Sequence, residues 1–429
     1  MTRINAQPLP RVFDKNEIMA TTIRQIEETR KLIEHLTNST DVSNASFKTI
    51  VEPVIDLENA QAGDRAMIAG LKYFSPSLEC QQMVSAAEAA WREFESQINL
   101  DLYTLLVAVR HRQEDLCKES SKLLDKMLLE YEEIGYGRLH EDSLERVLSR
   151  RRDIDRLQAE YHQNLRQPVG HECFDKTELS GVPGELLTPV DEAGKIVIGH
   201  NKQFTVMKSA HDPQTRQRMQ EACHRQHAEN LRLFHEIVVL RHENARELDY
   251  PSHAATRLPH RSVESLEWVE QLIAALASDL IPWSKVEAEQ LLELKKRHLA
   301  SHPDIQDHDP DELMAWDYIY YSSLLQKEAL IQHTEISEYF PLEHTINTML
   351  QIFGDFLELR FAPIAREDLR GFVWHKDVTC WTAWDTRPEQ NNQFVGYLFF
   401  DVLARPYKYR GNQSVNIQPV GLRASRLYL

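Results

Sequence analysis

Glycine and long apolar runs are both scarce in this sequence. Only 14 of its 429 residues are Gly, and none forms a GxGxxG or GxxxxGK[ST] loop, which excludes a phosphate cradle of that kind. No apolar stretch approaches the roughly 18 residues that a membrane-spanning helix needs. The first residues also lack the apolar core of a signal peptide. With 42% hydrophobic and 27% charged residues, the composition predicts a helix-rich globular protein.

Basic residues are outnumbered by acidic ones, 49 to 66, which gives a formal net charge of -17. Nucleic acids and anionic membranes bind surfaces with a positive footprint. We therefore expect neither a nucleic-acid nor a membrane partner, and we interpret the acidic excess as a solubilising surface.

Cysteine is also rare. The five residues are odd in number, widely spread and without a CxxC pair, which favours a reducing compartment and predicts a cytosolic location. They are Cys80, Cys117, Cys173, Cys223 and Cys380.

Long helices are predicted in the first part of the chain. From Ser77 to Ile134 there is neither Gly nor Pro, and the apolar residues between Leu124 and Tyr131 follow a helical period. A second helical pattern from Leu144 to Tyr161 suggests a helical hairpin with the first. We interpret the run Arg150 to Arg152 as a solvated helix face rather than an anion site, because acidic residues flank it.

Two further segments have a composition that is not typical of long helices. Gly and Pro punctuate the stretch from Pro168 to Ser209, where Ile196 to Ile198 and Phe204 to Met207 are typical of short strands. Near the C-terminus, Val373 to Trp384 and Phe394 to Leu403 are rich in Trp and β-branched residues. They predict two strands joined by a polar loop.

A helix with one apolar face is predicted from Ser262 to Leu280. Pro282 should end it, because proline removes a backbone donor and clashes with the preceding turn. Ser284 and Glu287 have the spacing of a capping box for the next helix.

The expected fold class is mainly α, an elongated helical body with short β-hairpin segments and an incomplete second lobe. The predicted regions are an N-terminal helical region (1–167), a strand and loop connection (168–210), a helical middle region (211–370) and a β-rich start of a catalytic lobe (371–429).

A zinc peptidase site on a helix needs two His one turn apart and an adjacent Glu, the HExxH pattern. Four His-Glu pairs occur, but none is followed by the second His at the required position. The pairs begin at His140, His171, His235 and His242, and the required positions hold Leu144, Asp175, Val239 and Arg246. The sequence thus assigns no catalytic residue and no metal ligand.

Weaker metal patterns do not change that result. Cys223, His224 and His227 cluster on a predicted helix, but flanking Arg218 and Arg225 oppose a cation, so we interpret the cluster as structural.

His298 and His302 stand four apart, where Pro303 indicates a helix end. Asp307, Asp309 and Asp311 alternate like the start of a calcium loop, yet the required Gly and the terminal bidentate Glu are missing.

His171 and Cys173 are close in sequence, but sequence adjacency does not make a nucleophile and base pair, and nothing marks an oxyanion hole.

From about Leu71 to Pro419 the sequence resembles the thimet oligopeptidase and saccharolysin family of zinc metallopeptidases. The order and spacing of several segments over most of the chain carry the resemblance. The segments are Leu71 to Ser77, the helical hairpin ending at Asn164-Leu165, Glu178 to Pro183, Pro213 to Tyr250 with Arg241 to Ser252, Ala315 to Tyr321, Glu338 to Glu343, Val373 to Val378 and Gly396 to Pro419.

The resemblance implies a helical body split by a channel that admits short, unstructured peptides. It also implies one zinc ion held by HExxH and a downstream Glu, with Tyr and His residues that assist nearer the C-terminus. None of these residues is present, and the likeness ends at about Val420. We therefore expect an inactive, truncated chain; a shifted reading frame, a missed intron and an authentic truncation would each give this pattern.

Three functions remain open. The chain is an incomplete version of a zinc oligopeptidase, or a non-catalytic module that binds peptides or a partner. A metal-free helical enzyme on a borrowed scaffold is the third possibility, and no residue supports it.

Overall fold

The computed structural model describes residues 8–96, 100–112, 115–165, 170–328, 333–409, 411–418, 422–423 and 426–427. The longer helices are α1 (Lys15–Ser39), α2 (Glu52–Phe74), α3 (Leu78–Ser96), α4 (Leu100–His111), α5 (Lys118–Glu132), α6 (Glu141–Leu165), α7 (Gln203–Ser209), α8 (Pro213–His224), α9 (Asn230–Glu247), α10 (His253–Thr256), α11 (Leu266–Ser301), α12 (Tyr318–Glu328), α13 (His333–Glu338) and α14 (Leu342–Leu357). Single helical turns occur at Val42–Asn44, Phe47–Val51, Lys176–Leu179, Gly184–Leu186, His200–Lys202, Leu258–His260 and Pro388–Gln390.

The strands are few and short: β1 (His171–Phe174), β2 (Ile196–Gly199), β3 (Leu359–Pro363), β4 (Thr379–Asp385), β5 (Gln393–Phe400), β6 (Leu422–Arg423) and β7 (Arg426–Leu427). The protein is mainly α-helical, as the sequence predicts. Among the described residues, no helix is both long and apolar enough to cross a membrane.

The chain divides into two compact units. One comprises 1–139 with 340–429, and the other comprises 140–339. The four regions predicted from the sequence follow the chain continuously, and that division stays a prediction.

In the first unit, helix α1 begins at a capping box. The Asp14 side chain accepts hydrogen bonds from the backbone N–H groups of Asn16 and Glu17, and the Glu17 side chain accepts one from Asp14. These bonds satisfy backbone donors that a helix N-terminus otherwise leaves unpaired. Helices α1 to α3 then enclose an apolar cluster that includes Ile18 and Leu71, and a second cluster joins α4 to α5.

In the second unit, the apolar stripe of α6 packs against α9 through Ile154, Leu157, Leu233 and Ile237. Helix α5 buries its own stripe in the other unit, against α4. Both helices of the predicted hairpin are therefore present, but the apolar stripe of α5 packs against α4 and that of α6 packs against α9.

Three local predictions are wrong. Phe204 to Met207 lies in helix α7 and is not a strand. Val206 and Met207 are buried in this helix. Tertiary packing therefore outweighs the preference of β-branched and aromatic residues for strands. Pro282 does not end a helix, because α11 runs through it to Ser301. Ser284 caps nothing there, since its hydroxyl donates to the Ile281 carbonyl at 2.9 Å.

The predicted strand pair near the C-terminus is confirmed, with β4 and β5 as its members. The segment 373–378 lies outside both strands. The structure adds β3, which the sequence analysis missed, on the other side of β4.

Candidate functional site

The sheet β3-β4-β5 is the first candidate region. All its strands are antiparallel, with β4 in the middle. Thr379 lies opposite Phe400 and Asp385 opposite Gln393, with an irregularity between Ala383 and Trp384. Such a bulge bends a strand and increases its twist. The described part of the sheet thus has β5 at one edge.

Strand β5 carries apolar side chains on a surface that water can reach. Phe394 is 9% exposed, whereas Val395 is 45% exposed and Leu398 is 37% exposed. Among the described residues, β5 pairs with β4 alone. An edge strand presents backbone donors and acceptors to which an extended peptide can add as another strand.

Directly after β5, a buried carboxylate gathers three donors. Asp401 accepts from the Trp374 indole N–H at 2.7 Å and from two guanidinium nitrogens of Arg405 at 2.6 and 2.7 Å. The Lys408 ammonium lies 3.1 Å from the same carboxylate. Only 11% of the Asp401 side chain is exposed. We call Trp374, Asp401, Arg405 and Lys408 the Asp401 cluster.

The charge of Asp401 is stabilised strongly. Burial alone would raise the pKa of this carboxyl group, but the hydrogen bonds from Arg405, Trp374 and Lys408 outweigh burial and lower the pKa to about 2. Charge-assisted bidentate bonds are the strong class of hydrogen bond. The cluster therefore fixes the chain that leaves β5.

The same chain is tied to the N-terminal helices of its unit. Arg405 donates to the Phe74 carbonyl at 2.6 Å, and the Tyr409 N–H donates to the Tyr73 carbonyl at 2.8 Å. The rings of Phe74 and Trp374 are stacked with centroids 3.9 Å apart. These contacts attach the chain that follows β5 to the C-terminal end of α2.

The second candidate region is a buried charge network in the other unit. Asp317, which is fully buried, accepts from Arg216 at 2.6 Å through one oxygen and from Lys295 at 2.8 Å through the other. Arg216 also donates to the carbonyls of Ala210 and Trp316. Its guanidinium carbon lies 4.3 Å from the centroid of the Tyr320 ring. We call Arg216, Lys295 and Asp317 the Asp317 network.

The acidic loop that resembles a calcium loop is occupied by lysines. The Lys295 ammonium lies 3.0 Å from Asp307, and Lys296 lies 3.4 Å from Asp311. Asp307 also accepts from the backbone N–H of Asp309 at 2.9 Å. The loop is thus held by cations of the chain itself.

The histidine pair of α11 makes local contacts. The rings of His298 and His302 stack at 4.4 Å, and the His302 ring nitrogen lies 2.9 Å from the His298 carbonyl oxygen. Burial, followed by the neighbouring His302, lowers the pKa of His298. The two rings thus pack against each other at the end of α11, and burial disfavours the charged form of His298.

Cys223, His224 and His227 are not brought together around one point. The Cys223 sulfur lies 3.9 Å from the His200 carbonyl oxygen, and burial raises the pKa of this thiol. His224 is exposed, and His227 faces Glu229 at 3.7 Å. The described residues contain no group of three His, Cys, Asp or Glu side chains that could hold a metal ion.

The remaining candidates are also dispersed. His171 and Cys173 both lie on β1, and burial raises the pKa of the Cys173 thiol, which disfavours a nucleophilic thiolate. Arg150 pairs with Glu243 at 3.1 Å and with Glu247 at 3.3 Å. At least this arginine is therefore held by α9 rather than solvated.

Sequence reasoning missed both carboxylate centres. The positions of Asp401, Arg405 and Lys408 could have indicated the first centre. Two basic side chains that follow a carboxylate by four and seven residues can both contact it when the chain turns there. Arg216 and Asp317 gave no local signal, since 101 positions separate them.

Comparison with known proteins points to one family. The family profile described as peptidase family M3 matches residues 206–427. Saccharolysin of Saccharomyces cerevisiae is 25% identical over 403 residues, which cover 89% of this chain and 56% of the yeast protein. Oligopeptidase PhomG' of Diaporthe leptostromiformis is 24% identical over 410 residues, covering 91% of this chain and 33% of that protein.

A bacterial protein matches a shorter segment. Oligopeptidase A of Escherichia coli is 28% identical over 185 residues, which is 43% of this chain and 25% of that protein. The chain therefore spans between a quarter and just over half of the length of these relatives.

Proposed function

Because this chain belongs to peptidase family M3, we propose that it binds short peptides in an extended conformation. Relatives named saccharolysin and oligopeptidase match it over about nine tenths of its length. The observation that carries the proposal is the edge position of β5, with Val395 and Leu398 exposed on it. A peptide added beside β5 would gain backbone hydrogen bonds and two apolar contacts.

Zinc is implied by the family, and the side chains described here do not fit it. In the described part of the chain no three suitable ligands converge, and no His-Glu pair of the sequence has the second His of HExxH. We infer that these 429 residues, as a separate polypeptide, neither retain zinc in stoichiometric amount nor hydrolyse peptides.

The hydrolysis proposal is tested with the purified 429-residue chain, a quenched fluorescent peptide and a measurement of bound zinc. We expect neither cleavage nor a stoichiometric metal. Cleavage that a chelator abolishes would refute this proposal while leaving the family assignment unchanged.

The binding proposal is tested with a labelled peptide and its backbone N-methylated analogue. N-methylation removes the donors that pair with an edge strand and keeps the side chains, so the parent should bind more tightly by about tenfold or more. The variant Val395→Asp should weaken binding of the parent, whereas Val190→Asp, at another exposed valine, should not. Equal binding of both peptides would contradict an added strand.

A non-catalytic module for a protein partner is the second candidate. It is favoured by helix α14, whose Ile352 and Phe356 are 61% and 83% exposed.

We also propose a cytosolic location, which the five unpaired cysteines support.

A further inference from the structure

The two faces of β5 are filled to different degrees. On one face the rings of Phe394, Tyr397 and Phe399 follow one another, with centroid separations of 5.0 and 6.4 Å. Trp384 of β4 packs on Phe394 at 5.0 Å, and Trp374 packs on Phe399 at 5.7 Å. This face therefore carries a continuous row of aromatic rings from the chain itself.

The opposite face of β5 has a gap at Gly396. Side chains alternate between the faces of a strand, so Gly396, Leu398 and Phe400 share this face. A Cβ atom placed on Gly396 would meet no described atom within 4 Å beyond its two chain neighbours. The position therefore has room for a group that the chain does not supply.

Apolar residues border this gap. Gly396 pairs with Ala383 on β4, and the next pair on the same face joins Leu398 to Trp381. The Trp381 ring packs edge to face on Phe400, with centroids 5.1 Å apart. Phe400 lies beyond Leu398 along β5, so this contact directs the Trp381 ring away from the glycine. We call the space bordered by Gly396, Ala383, Trp381 and Leu398 the Gly396 gap.

A strand added beside β5 would place one residue directly opposite Gly396. Opposite residues on one face have Cβ atoms about 5 Å apart, and aromatic side chains also reach diagonal neighbours. Because glycine has no side chain, a ring at that peptide position can lie across it and contact Leu398. Aromatic residues compensate for strand glycines in this way. A charged side chain would lose water there among apolar residues that offer it no partner.

We propose that the Gly396 gap selects peptides that carry an aromatic residue at the position paired with Gly396. This selection rests on the function proposed above, the binding of extended peptides beside β5, and it defines the class of peptide that binds there. Alanine at the same position leaves the gap empty, and a carboxylate is excluded by its desolvation.

The experiment measures the binding of labelled peptides to the full 429-residue chain by fluorescence anisotropy. The peptides share a sequence of threonine and serine and differ only at one central residue, which is Phe, Ala or Asp. The Phe peptide should bind about tenfold more tightly than the Ala peptide, because its ring fills the gap. The Asp peptide should bind most weakly. A backbone N-methylated Phe peptide reports separately on the strand pairing.

The variant Gly396→Val fills the gap from within the chain. Valine suits an extended strand, and the open space accepts its side chain, so circular dichroism should be unchanged. The preference for Phe over Ala should fall from about tenfold to about twofold or less. Gly184→Val is the matched control, because a Cβ atom on Gly184 would also meet no described atom within 4 Å and this residue lies in the other unit. It should keep the full preference.

The failure of aromatic selection and the failure of peptide binding are distinguishable. Equal binding of the Phe and Ala peptides, with N-methylation still weakening binding, would overturn the selection and leave the edge-strand proposal in place. A preference that Gly396→Val does not reduce would also overturn it, because the ring would then bind elsewhere. Absence of binding by every peptide would overturn both proposals.

Discussion

Asp317 and Asp401 are two carboxylates held in the same way in different units of the molecule. Each accepts from one arginine and one lysine, and each arginine also donates to a backbone carbonyl. Their burial differs. The side chains of Arg216, Lys295 and Asp317 are 1%, 0% and 0% exposed, whereas those of Arg405, Lys408 and Asp401 are 8%, 14% and 11% exposed.

The two centres also differ in how the chain assembles them. Arg405 and Lys408 follow Asp401 by four and seven residues, so the Asp401 cluster closes a short turn of chain. The Asp317 network joins α8, α11 and the start of α12 across 101 and 22 positions. Loss of the Asp317 network should therefore affect the packing of three helices. Loss of the Asp401 cluster should affect only the turn after β5 and its contact with Phe74.

The largest effect is expected for Asp317→Asn. The change leaves Arg216 buried without a counter-charge and leaves Lys295 with Asp307 alone, and removing one partner from a buried ion pair costs about 4 kcal/mol. The free energy of unfolding, measured by denaturant titration, should fall by about that amount. Asp311→Asn is the control, because its side chain is 85% exposed and the change should cost less than about 0.5 kcal/mol. A loss below about 1 kcal/mol for Asp317→Asn would mean that the network does not stabilise this unit.

Asp401→Asn should have a smaller effect that depends on pH. Burial opposes ionisation, but hydrogen bonds from Arg405, Trp374 and Lys408 lower the pKa from 3.8 to about 2. A carboxyl group whose pKa is lowered by folding stabilises the folded protein above about pH 4, and this contribution is lost as the pH falls towards 2. The shift in pKa corresponds to about 2 kcal/mol in the free energy of unfolding. Wild type and Asp401→Asn should therefore differ at pH 7 and converge near pH 2 in denaturant titrations.

Asp368→Asn is the control for that series, because Asp368 is an exposed carboxylate of the same unit. It should show no such convergence. A difference between wild type and Asp401→Asn that stays constant from pH 7 to pH 2 would contradict the assigned role of the ionised carboxylate.

The comparison also explains which features the sequence could predict. The strands β4 and β5 were predicted because aromatic and β-branched residues mark them locally. Asp401, Arg405 and Lys408 lie within a segment that carries the family resemblance, and their spacing is visible in the sequence. The apolar stripe of α11 was predicted for the same reason, since its period of three and four residues is a local property.

Features that depend on tertiary contacts escaped prediction. The residues of α7 have strand-like composition, but Met207 is buried and Val206 packs in a cluster with Phe174 and Leu179, about 30 positions earlier in the chain. Pro282 was expected to end a helix, yet α11 continues through it, because one missing backbone bond does not outweigh the rest of a long helix. The partners of Asp317 could not be paired by any rule based on spacing.

Glu247→Gln should have the smallest effect and tests the role of burial most directly. Hydrogen bonds from Arg146 and Ser143 lower the pKa of Glu247 to about 2 despite some desolvation, so its contribution, like that of Asp401, is lost as the pH falls below its ordinary value of 4.5. Arg146 is 52% exposed, however, and solvent screens such a pair to about 1 kcal/mol or less. Denaturant titrations at pH 7 should show that small loss, and about 0.5 M salt should abolish it. Glu236→Gln, at an exposed pair of the same helix, should resemble it, whereas a loss as large as that of Asp317→Asn would show that burial is not what separates these carboxylates.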